Sequence, residues 1–328
     1  MEVEDGAELC FPQLNTSCRK PTFMWSDVVL LQIVLYFVSV LTVALNLLII
    51  ISISHFRQLH TNTNTLLLSL AVSDFLVGLV LMPGEIVRKT GCWFLGDLMC
   101  SLYKYVSFII TATSIGNMVL ISVDRHVAIC DPLHYPTRVT ERRVKLCVCL
   151  CWLGSFFYNS LFFKDDLTEP GIYNSCYGQC VFVIDYIAGI VDLVLTFIVS
   201  VTVIIVLYMR VFVVAVSQAR AMRSHITAVT LQRSVTLTTM KSELKAARTL
   251  GVLVAVFLMC FCPYYCVSLA GDTALSGSSA AFVLYLFYCN SCLNPLIYAL
   301  FYPWFRKTVK LIVTLQILQP GSREANVL

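Results

Sequence analysis

The chain alternates long apolar runs with short polar ones. Seven stretches, at about 27–54, 65–88, 98–129, 146–163, 181–216, 249–270 and 279–301, are almost wholly apolar. They match the ~20 residues a helix needs to cross about 30 Å of hydrocarbon, and the longer ones imply tilt or extension past the bilayer. The pattern predicts an all-α membrane protein: a seven-transmembrane-helix bundle over 27–301, preceded by a polar segment, 1–26, and followed by 302–328. Connections are short except for about 217–247, SQARAMRSHITAVTLQRSVTLTTMKSELKAA, which is basic and rich in Ser and Thr. That segment reads as a solvated linker or as a docking surface for a cytoplasmic partner. Behind the seventh run, FYPWFRKTVKLIV mixes aromatics with Arg306, Lys307 and Lys310. This suits a short amphipathic helix on the inner leaflet, with no following cysteine to carry a palmitoyl anchor.

Composition agrees: 58% hydrophobic, 13% charged, mean hydropathy +0.81, values no soluble globular domain shows. Of the 23 Lys and Arg residues, 17 fall on one side of the predicted bundle and 6 on the other. The positive-inside rule makes the richer side cytoplasmic and the N-terminus extracellular, as in a multi-pass plasma-membrane protein. The net charge of +4 then reflects topology and implies no nucleic-acid partner. The opening MEVEDGAE is acidic and lacks a basic n-region, so no cleaved signal peptide is expected. Asn15 opens an Asn-Thr-Ser sequon on the external side, where glycosylation is expected.

Of 15 cysteines, Cys10, Cys18, Cys92, Cys100, Cys176 and Cys180 fall outside. That side is oxidising, and six cysteines allow 15 pairings. The remainder lie in or near the spans, where thiols behave as small apolar groups. No spacing suggests a transition-metal site. No HExxH, GxSxG or glycine-rich phosphate loop supports an enzyme. No internal repeat supports an inverted-repeat transporter.

Few polar residues interrupt the spans. Those that stand out are Asn46, Asp74, the Asp124-Arg125 pair, Asp192, and Asn290, Ser291 and Asn294. Any one could be a structural residue satisfied by a neighbouring helix. Asp192, in GIVDLVLTF, is the least expected, because a carboxylate in a membrane core costs about 2.5–3.5 kcal/mol.

In order and spacing these residues resemble the rhodopsin-like G-protein-coupled receptors. The resemblance rests on Asn46, Asp74, Cys100, Asp124-Arg125-His126, Trp152, Tyr208, FLMCFCP ending at Pro263, and NPLIY from Asn294 to Tyr298. NSCLNPLIYALFYPWF is similar, more narrowly, to the signature of trace amine-associated receptors, with Asn290, Ser291, Asn294, Pro295, Tyr298, Tyr302, Trp304 and Phe305 in register. Four positions depart from the broad pattern: Leu45 for Gly, His126 ending the DRY-like motif, Phe261 for Trp and Ser200 for Pro.

The resemblance implies disulfides Cys100–Cys180, Cys10–Cys176 and Cys18–Cys92. It implies a switch made of Asp124, Arg125 and His126, with Tyr208, Asn294, Pro295 and Tyr298, in which Glu243 holds Arg125 at rest. It implies an allosteric sodium pocket of Asp74, Ser114, Asn290, Ser291 and Asn294, with no other cofactor. Amine receptors usually anchor the ligand ammonium on a third-helix Asp, 18 residues before the Arg of the DRY-like motif; here that position is Ser107. Some fish trace amine-associated receptors carry the Asp in the fifth helix instead, and Asp192, eight residues before Ser200, fits that placement. Ser107, Phe108, Thr111, Phe261, Tyr264, Tyr265, Leu284, Phe287 and Tyr288 would complete the pocket, their aromatic faces favouring a cation. Lys104 is expected to snorkel to the outer lip, and Asp185 to be a solvated lip acid or the site of a second amine. The expectation is an olfactory receptor for small amines, acting through a heterotrimeric, stimulatory G protein and cyclic AMP. A receptor for a non-amine ligand is the near alternative and a seven-helix transporter the distant one. A retinal pigment is excluded, since the seventh span has no Lys.

Overall fold

The structure, a computed structural model, describes residues 8–20, 25–226, 251–267 and 277–327. Each apolar run forms a helix. These are α1 Trp25–His55, α2 Asn62–Lys89, α3 Gly96–Cys130, α4 Glu141–Phe162, α5 Tyr186–Ser217, α6 Gly251–Val267 and α7 Gly277–Phe301. Six are long and apolar enough to cross a bilayer; α6 is the shorter one, flanked by residues outside the described set. Helix α8, Pro303–Val313, follows α7 directly. Of the basic segment at about 217–247, the part up to Ile226 continues α5 as helix, and the rest, with Glu243, lies outside the described residues.

The perimeter is apolar as well as the core, and the few polar side chains of the spans turn inward. Asn46, Asp74, Asn117, Asn290 and Asn294 are buried, while Phe37, Val40, Leu161 and Ile187 are exposed at the perimeter. Such a perimeter is stable only against hydrocarbon. Central α3 touches α2, α4 and α5. Polar bonds lock these contacts: Trp152 Nε1 donates to Ser69 Oγ at 3.1 Å, and Ser69 donates to Asn117 Oδ1 at 2.9 Å, joining α4, α2 and α3. Asn46 Nδ2 donates to the Ser291 carbonyl at 3.0 Å, joining α1 and α7. On the amphipathic α8, Trp304, Phe305 and Thr308 are buried, and Ser52 Oγ donates to Thr308 Oγ1 at 2.8 Å.

Among the described residues, two helices contain a π turn, Val77–Leu81 in α2 and Leu193–Ile198 in α5. Such turns re-aim the residues around them and concentrate at functional sites. The α5 turn forms without the usual proline, since Ser200 stands there, and it begins directly after Asp192. Helix α5 starts at Tyr186, later than the apolar run, because Asp185 caps it by accepting from the Ile187 and Ala188 amides at 3.0 and 3.2 Å. Asp185 is thereby committed to the cap.

One end of the bundle carries a cross-linked cover. Cys100 joins Cys180, as expected. The other two pairs exchange partners relative to the expectation: Cys10 bonds Cys92, and Cys18 bonds Cys176. Backbone pairing explains the exchange. The N-terminal segment folds into a hairpin, with the Cys10 amide donating to the Cys18 carbonyl at 2.8 Å. Its second arm lies beside the loop ahead of α5, where the Cys18 amide donates to the Tyr177 carbonyl at 2.9 Å and the Tyr177 amide to the Thr16 carbonyl at 2.8 Å. Cys18 is thus delivered to Cys176, leaving Cys10 facing the α2–α3 connection and Cys92. Asn15 is exposed on a turn of this hairpin.

Candidate functional site

Asp192 is half-buried at the head of the α5 π turn. Its Oδ1 accepts the Tyr158 hydroxyl of α4 at 3.3 Å. Its backbone carbonyl accepts the Thr196 hydroxyl at 2.6 Å. Among the described residues no Lys, Arg or His forms an ion pair with it. A carboxylate at membrane depth, met by neighbouring hydroxyls and by no cation among the described residues, can accept a further charged donor.

Aromatic rings flank it. One chain of rings runs from Tyr158 to Phe162 at 6.2 Å, on to Phe108 of α3 at 5.7 Å, and then to Phe182 of the cover at 6.4 Å. A second group joins α5, α6 and α7: Tyr265 stacks on Phe197 at 4.0 Å, within electrostatic reach of Asp192. Phe287 meets Phe261 at 4.3 Å, Tyr264 at 4.9 Å and Tyr288 at 5.5 Å, with Leu284 packed against the same core. Thr111 is half-buried one turn below Phe108. The Ser107 hydroxyl donates back to the Tyr103 carbonyl at 2.7 Å, and it carries no charge to match an ammonium.

Lys104 does not snorkel. It is buried, and its ammonium contacts both Asp166 carboxylate oxygens, at 2.8 and 2.6 Å, and the Val181 carbonyl at 3.1 Å. The loop folds down as a turn of helix, Lys164–Thr168, carrying Asp166 into the bundle and removing any need for Lys104 to reach water. A second pair lies nearby: Arg88 donates to both oxygens of buried Glu85, at 2.9 and 2.5 Å, and lies 4.5 Å over the Phe182 ring.

Midway along the bundle, Asp74 is fully buried. Oδ1 accepts Ser291 at 2.8 Å and Ser114 at 3.4 Å, and Oδ2 accepts Asn294 Nδ2 at 2.8 Å. Asn290 lies buried with neither amide atom bonded, and Asn294 Oδ1 is likewise unpartnered. A carboxylate, two hydroxyls and spare amide oxygens form the donor set that a hard cation such as sodium takes.

At the opposite end from the disulfides, Arg125 pairs with Asp124 at 2.5 Å and donates to the Thr63 hydroxyl. Thr63 and Tyr135 both donate to Asp124, at 2.9 and 2.8 Å. Arg125 also lines a small cleft with Thr63, Leu67, Ile121, Leu253, Tyr298 and Tyr302. The Tyr298 hydroxyl and His126 Nδ1 are buried without partners. Tyr208 reaches across to α6, where only Gly251 leaves room for its hydroxyl. In the loop beyond α3, the 2.7 Å hydrogen bond with His134, helped by Arg138, holds the Asp131 carboxyl below the usual carboxylate range.

Sequence reasoning missed Tyr158, Asp166 and Phe182 as neighbours of the site. Nothing in SFFYNSLFF distinguishes Tyr158 from the aromatics beside it. The signal available for Asp166 was an acid in a loop tied by Cys180 to the top of α3.

Residues 45–298, from α1 into α7, match the 7 transmembrane receptor (rhodopsin family). The chain is 38% identical to trace amine-associated receptor 13c of Danio rerio, over 98% of its own length and 96% of that protein. It is 38% identical to trace amine-associated receptor 8a of Rattus norvegicus, over 96% and 95%, and to trace amine-associated receptor 7e of Mus musculus, over 98% and 92%. With the family match running through the bundle and these relatives aligned almost end to end, the chain belongs to the rhodopsin family of seven-transmembrane receptors, in its trace amine-associated branch.

Proposed function

We propose that this receptor binds small amines, with the ligand ammonium salt-bridged to Asp192 and its tail directed towards α3 and α7. The supporting observation is the carboxylate itself: it lies at membrane depth, beside aromatic rings, with no basic partner among the described residues. An ammonium satisfies it with a charge-assisted, directional bond, and the rings favour the same charge. The disulfide-bearing end faces the outside of the plasma membrane, consistent with an oxidising compartment, with glycosylation at Asn15 and with the Lys and Arg bias. Arg125, engaged by Asp124 and Thr63, is in the resting arrangement. Ligand binding releases it towards a stimulatory heterotrimeric G protein, raising cyclic AMP in a chemosensory cell. Sodium held by Asp74, Ser114, Ser291 and the amide oxygens of Asn290 and Asn294 favours that resting form.

The test is cyclic AMP in cells expressing wild type and Asp192→Asn, matched for surface level, against a panel of amines. The substitution keeps size and removes charge. A loss of potency of about tenfold or more, roughly 1.4 kcal/mol, is expected. Unchanged potency would move the anchor away from Asp192. A wild type silent to every amine, or an amine response without cyclic AMP, would overturn the ligand class or the coupling respectively.

A further inference from the structure

Asp166 and Glu85 have no place in the reading above, yet both are buried and both hold a cation. Asp166 is the more telling of the two. Its partner Lys104 lies on the face of α3 that carries Ser107 and Phe108, three and four residues further on. Lys104 also bonds the Val181 carbonyl, next to Phe182. Phe182 ends the chain of rings that starts from Tyr158 at Asp192. Lys104 and Asp192 therefore stand at the two ends of one aromatic wall, a surface along which a cation is stabilised.

A lysine ammonium rides on a flexible four-carbon stem. Buried without a counter-ion it is strongly unfavourable, and it takes the nearest open carboxylate. At this end Glu85 is occupied by Arg88, Asp97 accepts from Asn174, Asp185 serves the α5 cap, and Asp165 and Glu169 are exposed to solvent. Asp192 is the half-buried acid left open. We infer that Asp166 is a positioning residue for ligand recognition: by sequestering Lys104 it keeps the receptor's own ammonium off Asp192, so that an external one can bind. This rests on Asp192 being the ligand anchor.

The experiment is a rescue series in the full-length receptor. Wild type, Asp166→Asn, Lys104→Met and the double variant are assayed by cyclic AMP, with surface level measured for each. The probes are the straight-chain primary amines from butylamine to octylamine, and 2-phenylethylamine. Asp166→Asn should raise the half-maximal concentration by about tenfold or more. Lys104→Met alone should stay near wild type, and adding it to Asp166→Asn should bring potency back to within about threefold of wild type. A purely structural role for the pair would lower surface level, which the double variant would restore; it would not move the half-maximal concentration of receptors matched for surface level, and that potency is the deciding readout. Unchanged potency in Asp166→Asn, or a loss that Lys104→Met does not reverse, overturns the inference. If Asp166→Asn fails to reach the surface, the potency of the double variant decides: a half-maximal concentration within about threefold of wild type supports the inference and a loss of about tenfold overturns it. A wild type that ignores every probe, or an amine response indifferent to Asp192→Asn, defeats the anchor reading and this inference with it. A response lost in Asp192→Asn but untouched in Asp166→Asn defeats only this one.

Discussion

Gly84, in α2 beside Glu85, offers a sharp test of packing at the disulfide-bearing end. A Cβ added there would overlap Tyr103 Cε2 and stand 2.9 Å from Cζ and 3.0 Å from Cδ2, so Gly84→Ala must displace the ring. The ring has little room: Trp93 lies 5.6 Å away and Phe182 6.1 Å away, and its hydroxyl donates to the Leu81 carbonyl at 2.9 Å. Overpacking of this kind costs about 1–3 kcal/mol, and a lost hydrogen bond about 1 kcal/mol more. The better helix propensity of alanine returns up to about 1 kcal/mol. The net is a destabilisation of about 1–3 kcal/mol, or a fall of roughly 3–10 °C in melting temperature on the scale of larger domains. The control is Gly154→Ala in α4, where a Cβ meets nothing within 4 Å; only the propensity gain applies, and stability should be unchanged or rise. Purified receptor would be heated with a thiol-reactive fluorophore that reports exposure of the buried Cys260 and Cys292. All variants are scanned at one rate, because unfolding of such proteins is irreversible. A Gly84→Ala receptor melting at or above wild type would refute the close approach of α2 and Tyr103.

Other outcomes follow from the same geometry. Peptide mapping without reduction should recover Cys10 linked to Cys92 and Cys18 linked to Cys176; a Cys10–Cys176 peptide would restore the pairing implied by family resemblance. Replacing choline chloride by sodium chloride should raise the melting temperature of wild type but not of Asp74→Asn, and an equal rise in both would place the ion elsewhere. Tyr135→Phe removes the 2.8 Å bond to Asp124. At a half-exposed site this is worth about 1 kcal/mol, so ligand-independent cyclic AMP should rise by about fivefold at equal surface level. A basal signal at or below wild type would show that this bond does not restrain the switch.

The parts legible in the sequence are those written locally. A span is a run of apolar residues, and the buried polar hub stood out because each member interrupts such a run. Asp74, Ser114, Ser291 and Asn294 come together as the family resemblance implied. Partners set by distant backbone pairing were not legible. The disulfide exchange depends on a hairpin docking against a loop about 160 residues away. Lys104 is the same kind of case: at the end of an apolar run, a lysine reads as reaching for water, and only a loop acid 62 positions further on reverses that. The α5 bulge after Asp192 had lost its usual proline marker, so the π turn there was invisible beforehand.

The cross-linked cover also constrains how the receptor is made. Synthesis delivers Cys10 and Cys18 first, hydrogen-bonded neighbours on one hairpin, while their partners emerge 82 and 158 residues later. Early oxidation therefore favours the wrong bond between two adjacent thiols. The nascent N-terminus must stay reduced until the fourth helix has been inserted, or be reshuffled afterwards by thiol–disulfide exchange. Yield of correctly covered receptor then depends on the isomerase capacity of the producing cell as much as on the sequence of the bundle.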